Sequence, residues 1–170
     1  METASDQEIT SALIRFIESI GIPVKYTTGI SGTFLPGLRI EKGEILIDKD
    51  QPFYPGDLLH EAGHIAVIPE SERITLCNEN IGARKDYAAE EMMSIAWSYA
   101  ACCYLQLDPH VVFHDKGYKN GGAAIAEDFG NGRYFGVPML HWVGLTNDPA
   151  RKDNPPGAVL FPEMIRWLRE

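Results

Sequence analysis

The chain has 170 residues, of which 45% are hydrophobic and 23% are charged, and its formal net charge is −9. This length is typical of one domain, and a chain of this size buries about 70% of its unfolded surface, so we expect a single domain over residues 1–170. The negative net charge and the lack of a Lys/Arg cluster disfavour nucleic-acid binding, which requires concentrated positive charge.

Other classes are disfavoured by cysteine content and by hydropathy. The three cysteines, Cys77, Cys102 and Cys103, are odd in number and include an adjacent pair, which does not fit a disulfide framework. No apolar run approaches the roughly 18 residues of a transmembrane helix. The N-terminal segment METASDQEIT lacks a basic region followed by an apolar core, so no signal peptide is expected. We therefore predict a cytoplasmic protein with no membrane partner.

The first third of the chain predicts one helix and a small sheet. Apolar residues recur with helical spacing over residues 6–20, where Asp6 is a plausible N-cap and Gly21 a plausible stop. The segments VKYTT, TFLPGLRI and GEILIDKD are short, rich in β-branched and aromatic residues, and separated by Gly and Pro. We predict two or three antiparallel strands there, and the continuous apolar run of residues 45–47 indicates a strand with both faces partly covered.

The rest of the chain is predicted to be mainly helical. A helix is expected from Pro55 to about residue 67, because proline fits the first turn of a helix and Pro69 ends it. Residues 70–86 lack periodicity and are predicted to be a loop. Residues 88–107 are apolar on nearly every side, which indicates a helix buried in the core. Short helical segments are expected in PHVVFH, AAIAEDF and YFGVPMLHWVGL, and a last helix begins at Pro162.

The residues that indicate chemistry are His60-Glu61-Ala62-Gly63-His64. On a helix, residues four apart lie on one face, with β-carbons about 5–6 Å apart. His60 and His64 can therefore reach one Zn²⁺ at roughly 2.0–2.1 Å from each ring nitrogen. Glu61 lies to the side, where it can contact a water on the metal rather than the metal itself. The spacing thus predicts a catalytic zinc site with Glu61 as its base.

A catalytic zinc ion takes three protein ligands, so a third donor is required. The best candidates are Glu90 and Glu91, near the start of the predicted buried helix. A carboxylate on an apolar helix is costly to bury unless it is paired or bound to metal. An acid in the first turn of a helix can instead interact with the helix dipole. We expect one of the two residues to fill each role, and we prefer Glu91 as the ligand.

These features resemble the gluzincin class of zinc metallopeptidases, and most closely its compact ImmA/IrrE-like branch. The resemblance rests on a strand (GEILID), the HEAGH helix, and Glu91 followed by Trp97-Ser98 where the family usually has Phe-Ala, and it covers about residues 6–107. It implies an α+β, minimal zincin-like domain. A small antiparallel sheet would pack on the HExxH helix and a second buried helix carrying the glutamate, followed by a helical C-terminal part.

The resemblance also implies an activity. We expect a zinc-dependent metallopeptidase that hydrolyses a peptide bond in an intracellular protein or peptide, with Glu61 activating a zinc-bound water. The substrate is expected to add as a strand along the GEILID edge. Two alternatives stay open. One is a metal-binding regulatory or interaction protein, since members of this family often act on a single partner. The other is a metallohydrolase that acts on non-peptide substrates.

Several polar residues are candidates for supporting roles. Asp57 lies three residues before His60, so it either orients that histidine or acts as a first-turn helix acid. Any of five residues is a candidate donor to the oxyanion, although packing or surface roles also fit each one: His110, His114, Tyr118, Tyr134 and His141. The Gly-rich segment HDKGYKNGG is the expected loop for substrate contact.

Overall fold

The computed structural model describes residues 4–170, and within them seven α-helices accompany one three-stranded sheet. The predicted α+β class is therefore confirmed. In chain order the elements are α1 Ala4–Ser19, β1 Val24–Thr27, β2 Leu38–Glu41, β3 Glu44–Asp48, α2 Asp57–Ala66, α3 Glu70–Arg73, α4 Asn78–Ile81, α5 Tyr87–Tyr104, α6 Gly122–Gly130 and α7 Val137–Trp142. Single 3₁₀ turns at Pro109–Val111 and Tyr118–Asn120 lie between α5 and α6.

The sheet is mixed, with strand order β1-β3-β2. β2 and β3 form an antiparallel hairpin closed by Lys42 and Gly43, both of which have positive φ. This backbone conformation matches the twist of two-residue hairpins. β1 instead runs parallel to β3, with Val24 opposite Ile45. The prediction of a purely antiparallel sheet is wrong at this pairing, because the connection over residues 28–37 carries the chain past β3 before it turns back.

β3, the GEILID strand, is the central strand of the sheet. It pairs with β1 on one side and with β2 on the other, so the prediction that a substrate strand adds along the GEILID edge is wrong. Ile45 and Ile47 are buried and Leu46 is half-buried, which fits the expected partial cover of both faces. An apolar run indicates burial but does not tell whether a strand lies at the edge or at the centre of a sheet.

The core forms where α2 packs against α5 and against the inner face of β2 and β3. Leu58, Leu59 and Ala62 of α2 are fully buried, as are Ala96 and Ala100 of α5. Each fully buried leucine in such an interface contributes about 1.5–3 kcal/mol. The small residues let the two helices approach closely, and a Cβ on Gly63 would lie only 2.9 Å from the carbonyl oxygen of Ser94. α5 is buried on most sides, as its composition predicted.

Several local predictions need correction. α1 begins at Ala4, so Asp6 lies in its first turn rather than at the N-cap. Residues 70–86 are not a plain loop but contain α3 and α4, each four residues long. One turn of helix is too short to produce a periodic pattern. The 3₁₀ turn at Tyr118–Asn120 lies inside the predicted HDKGYKNGG loop.

The prediction of a last helix beginning at Pro162 is wrong, and residues 162–170 have no helical structure. Their backbone groups bond to other elements instead. The amide of Ile165 donates to the carbonyl of Leu145, and the amide of Arg169 donates to the carbonyl of Ala66. The indole of Trp97 donates to the carbonyl of Trp167 at 2.9 Å. The segment is therefore held along α2 and α5, since tertiary hydrogen bonds replace those of a helix.

Candidate metal centre

The two motif histidines lie on one face of α2, at the wall of an open cleft. Their ring centroids are 4.6 Å apart, and the two Nε2 atoms are 3.1 Å apart. The start of α2 is fixed by Gly56, where a Cβ would lie 1.9 Å from the carbonyl oxygen of Val111. Only glycine permits this approach, which places the first turn of α2 against the segment that follows α5.

Glu91 of α5 forms, with His60 and His64, a group of three side chains that could hold a metal ion. Its Oε2 lies 3.1 Å from Nε2 of His64, and its Oε1 lies 3.9 Å from Nε2 of His60. Two ligand atoms bound at about 2.0–2.1 Å to a tetrahedral Zn²⁺ are themselves about 3.3 Å apart. The spacing of this group therefore fits one such ion with a small contraction at His60, and two imidazoles with one glutamate are a ligand set of catalytic zinc.

Glu90, the competing candidate, points elsewhere. Its two carboxylate oxygens accept hydrogen bonds from Arg84 at 2.7 and 2.9 Å. Arg84 also bonds to Glu72 at 2.8 Å, and these two carboxylates raise the pKa of its guanidinium. Glu90 is thus a buried acid satisfied by a bidentate ion pair. The structure brings Glu91 to the histidines and leaves Glu90 outside the group.

The protonation states of the group differ from one residue to the next. Burial, and then the charge of His64, lower the pKa of His60 to about 3, so its ring is neutral. Burial also acts to lower the pKa of His64, but the hydrogen bond to Glu91 and the nearby carboxylates outweigh it and raise that pKa above 6.5. Burial acts to raise the pKa of Glu91, yet its contacts with both histidines lower it. A metal ion and a proton therefore compete for His64.

Glu61 is buried beside the three ligating side chains and lines the same cleft. Burial raises the pKa of its carboxyl to about 7, and the negative charges of Asp57 and Glu91 act in the same direction. A carboxylate with a pKa close to neutrality both accepts and returns a proton readily. Such a value is typical of groups that perform acid–base chemistry.

Asp57 does not orient His60. Its Oδ1 lies 2.9 Å from Nε2 of His114, and the ring of His114 is stacked on Tyr54 with centroids 4.1 Å apart. Nδ1 of His60 instead lies 3.0 Å from the hydroxyl of Tyr118. Burial raises the pKa of Asp57, although the hydrogen bond to His114 opposes this shift. Of the two roles predicted for Asp57, only the position in the first turn of α2 agrees with the structure.

The five candidate oxyanion donors differ in whether they line the cleft. His114 and Tyr118 line the cleft. His110 is exposed and pairs with Asp108. His141 receives a long hydrogen bond from the amide of Asp148. Tyr134 packs in an aromatic cluster around Phe129 and Phe161. The last three candidates lie outside the set of cleft-lining residues, so their predicted role is disfavoured by position.

The cleft has a volume of about 1190 Å³, and two loops contribute to its lining. One of these loops contains residues 31–36, including Phe34, whose side chain is 84% exposed. This loop is held at its base by Asp48, which accepts a hydrogen bond from the amide of Ile30 at 2.7 Å. The other loop contains residues 116–119, part of the HDKGYKNGG segment predicted to contact substrate. His60, His64 and Glu91 line the same cleft.

Ser94 is the residue of the site that sequence reasoning missed. Its hydroxyl lies 3.3 Å from Nδ1 of His64 and donates a hydrogen bond to the carbonyl of Glu90 at 2.8 Å. One available signal was its spacing, since Ser94 follows Glu91 by three residues and so shares its face of a helix. The link between Tyr118 and His60 had no such signal, because 58 residues separate the two.

Comparisons with protein-family models, with curated proteins and with solved structures find no match. The resemblance to zinc metallopeptidases therefore rests on this chain alone. Within residues 4–170, no helix combines the length and apolarity needed to cross a membrane.

Proposed function

We propose that this chain is a zinc-dependent metallopeptidase of the gluzincin type, with His60, His64 and Glu91 as zinc ligands and Glu61 as the catalytic base. The observation that carries the proposal is that His60, His64 and Glu91 come within metal-binding distance of one another in the cleft. The buried carboxylate of Glu61 lies beside them. The zincin-like character of the fold and its likeness to the ImmA/IrrE-like branch are part of the same proposal.

In this mechanism, zinc held by His60, His64 and Glu91 would supply a water of lowered pKa and would polarise the scissile carbonyl. The chain's own residues move the proton. Glu61 accepts it from the attacking water and delivers it to the leaving amine. Of the candidate donors, His114 lines the cleft beside Asp57, and in this mechanism it orients substrate groups.

The size of the cleft favours a peptide substrate. Its volume of about 1190 Å³ exceeds the roughly 300–1,000 Å³ of most small-molecule pockets. An extended peptide would pass between the loop at Phe34 and the loop at Tyr118. Because β3 is paired on both sides, this path replaces strand addition along β3. A non-peptide metallohydrolase is accordingly the less favoured alternative.

The test compares the parent protein with Glu61→Gln after both are loaded with zinc. Each should bind one zinc ion per chain, measured by elemental analysis after dialysis, because Glu61 is not a ligand. Only the parent should hydrolyse members of a broad library of peptides, read by mass spectrometry. A protein that takes up no zinc contradicts the proposal. Zinc binding by both proteins without hydrolysis favours the alternative of a metal-binding regulatory protein.

A further inference from the structure

Each histidine of the motif has one nitrogen facing the metal position and one facing a hydroxyl group. The Nε2 atoms lie 3.1 Å apart and face Glu91. Nδ1 of His60 lies 3.0 Å from the hydroxyl of Tyr118, and Nδ1 of His64 lies 3.3 Å from the hydroxyl of Ser94. A histidine that binds metal through Nε2 carries its proton on Nδ1 and needs an acceptor for it.

The hydroxyl of Ser94 is positioned to serve as that acceptor. Its single proton is donated to the carbonyl of Glu90 at 2.8 Å, so only lone pairs remain for His64. Ser94 is fully buried. α5 thus contacts both ring nitrogens of His64, through Glu91 on one side and through Ser94 on the other. The glycine at position 63 makes this possible, because a Cβ there would lie 3.2 Å from the Cβ of Ser94.

Tyr118 reaches His60 from a strained segment. Tyr118, Lys119 and Asn120 have consecutive φ values of 52°, 54° and 66°, a left-handed conformation that costs roughly 1–2 kcal/mol for each residue other than glycine. Strain of this kind persists where surrounding contacts hold it, and it clusters at functional sites. Two contacts hold Tyr118 in this conformation. Its hydroxyl contacts His60, and its ring packs on Phe113.

We propose that Ser94 and Tyr118 are positioning residues that fix Nε2 as the metal-binding nitrogen of His64 and His60, each by accepting the Nδ1 proton. This inference rests on the proposed zinc site. It assigns the two hydroxyls to the histidines rather than to the substrate, and it gives the 114–120 segment a structural link to the metal ligands.

The experiment measures zinc affinity, by competition with a chromophoric chelator, for Ser94→Ala and Tyr118→Phe. Loss of such a partner weakens metal binding about 10–100-fold, and we expect a loss in this range for each variant. The chain offers matched controls. Ser98 is equally buried and donates to the carbonyl of Ser94 at 2.7 Å. Tyr134 packs on Phe129 as Tyr118 packs on Phe113. Ser98→Ala and Tyr134→Phe should leave zinc affinity within about twofold of the parent.

Two spectroscopic measurements separate positioning from general damage to the fold. The visible spectrum of the Co²⁺-loaded protein should change in Ser94→Ala and Tyr118→Phe but not in the two controls. Long-range ¹H–¹⁵N correlation spectra of the parent should show Nδ1–H and metal-bound Nε2 on both rings. Parent affinity in both variants, or coordination through Nδ1 in the parent, would overturn the proposal.

The same spectra keep the inference distinct from the proposed function. If the parent protein binds no zinc, the proposed function fails, but the metal-free spectrum still reports which nitrogen of the His60 ring is protonated. Nδ1–H is expected there, and Nε2–H overturns the assignment of Tyr118. If the parent binds zinc and hydrolyses peptides while Ser94→Ala binds zinc equally well, the function stands and the positioning role of Ser94 fails. A variant that does not fold leaves the parent spectra as the deciding test.

Discussion

The adjacent acids Glu90 and Glu91 should respond to substitution in opposite ways. Oε2 of Glu91 lies 3.1 Å from Nε2 of His64. The carboxylate of Glu90 instead accepts hydrogen bonds from two nitrogens of the Arg84 guanidinium. Glu91→Gln removes the proposed third metal ligand from a site that lines the cleft. Glu90→Gln removes one charge of a buried ion pair and leaves the metal-ligating group intact. The first change should therefore weaken metal binding, and the second should weaken the fold.

The sizes of both effects follow from the contacts. Zinc sites with four protein ligands bind with apparent free energies of about 10–16 kcal/mol, or about 2.5–4 kcal/mol per ligand. Glu91→Gln should therefore lower zinc affinity about 10²–10³-fold. Breaking a buried ion pair costs about 3–5 kcal/mol. Because Arg84 keeps Glu72 as a partner, Glu90→Gln should cost less, about 2–3 kcal/mol of unfolding free energy.

The two measurements are made on the same pair of variants. Zinc affinity is obtained by chelator competition, and the unfolding free energy of the metal-free proteins is obtained from urea denaturation in the presence of EDTA. Glu91→Gln should lose zinc affinity and keep most of its stability. Glu90→Gln should lose stability and keep zinc affinity within a few-fold of the parent. The reverse pattern, with zinc lost in Glu90→Gln and retained in Glu91→Gln, would refute the assignment of the third ligand.

Two further predictions concern helix packing and pH. Gly63→Ala places a Cβ 2.9 Å from the α5 backbone, so we expect about 1–3 kcal/mol of destabilisation and a lower zinc affinity, measured by chelator competition. Gly82→Ala is the control, because the space around Gly82 is open, and it should change neither stability nor zinc affinity. Equal zinc affinity in the two variants would contradict this prediction. Zinc affinity should fall as the pH drops through the raised pKa of His64, because its proton competes with the metal, while the neutral His60 contributes no such change. Calorimetry at pH 6.5 in buffers of different ionisation enthalpy should detect the released proton, and the absence of proton release would contradict the assigned protonation states.

The sequence by itself determined the local parts of the site. Helical spacing requires His60 and His64 to share a face, because the period of an α-helix is fixed by its backbone geometry. The apolar composition of α5 likewise predicted its burial, since a helix without a polar face must be covered on all sides. Pro55 and Pro69 bounded α2 to within a few residues. Each of these features depends on neighbours within one element.

Tertiary structure decided the choices that depend on distant partners. Glu90 and Glu91 are both acids near the start of α5, and the position of Arg84 distinguishes them. The direction of β1 depends on the path of the connection after it, and the last residues of the chain follow α2 and α5 instead of forming a helix. The hydroxyl partners of the two histidines come from 30 and 58 residues away. Hydrogen bonds and ion pairs between elements have no fixed sequence spacing, so only the folded arrangement selects among chemically equivalent candidates.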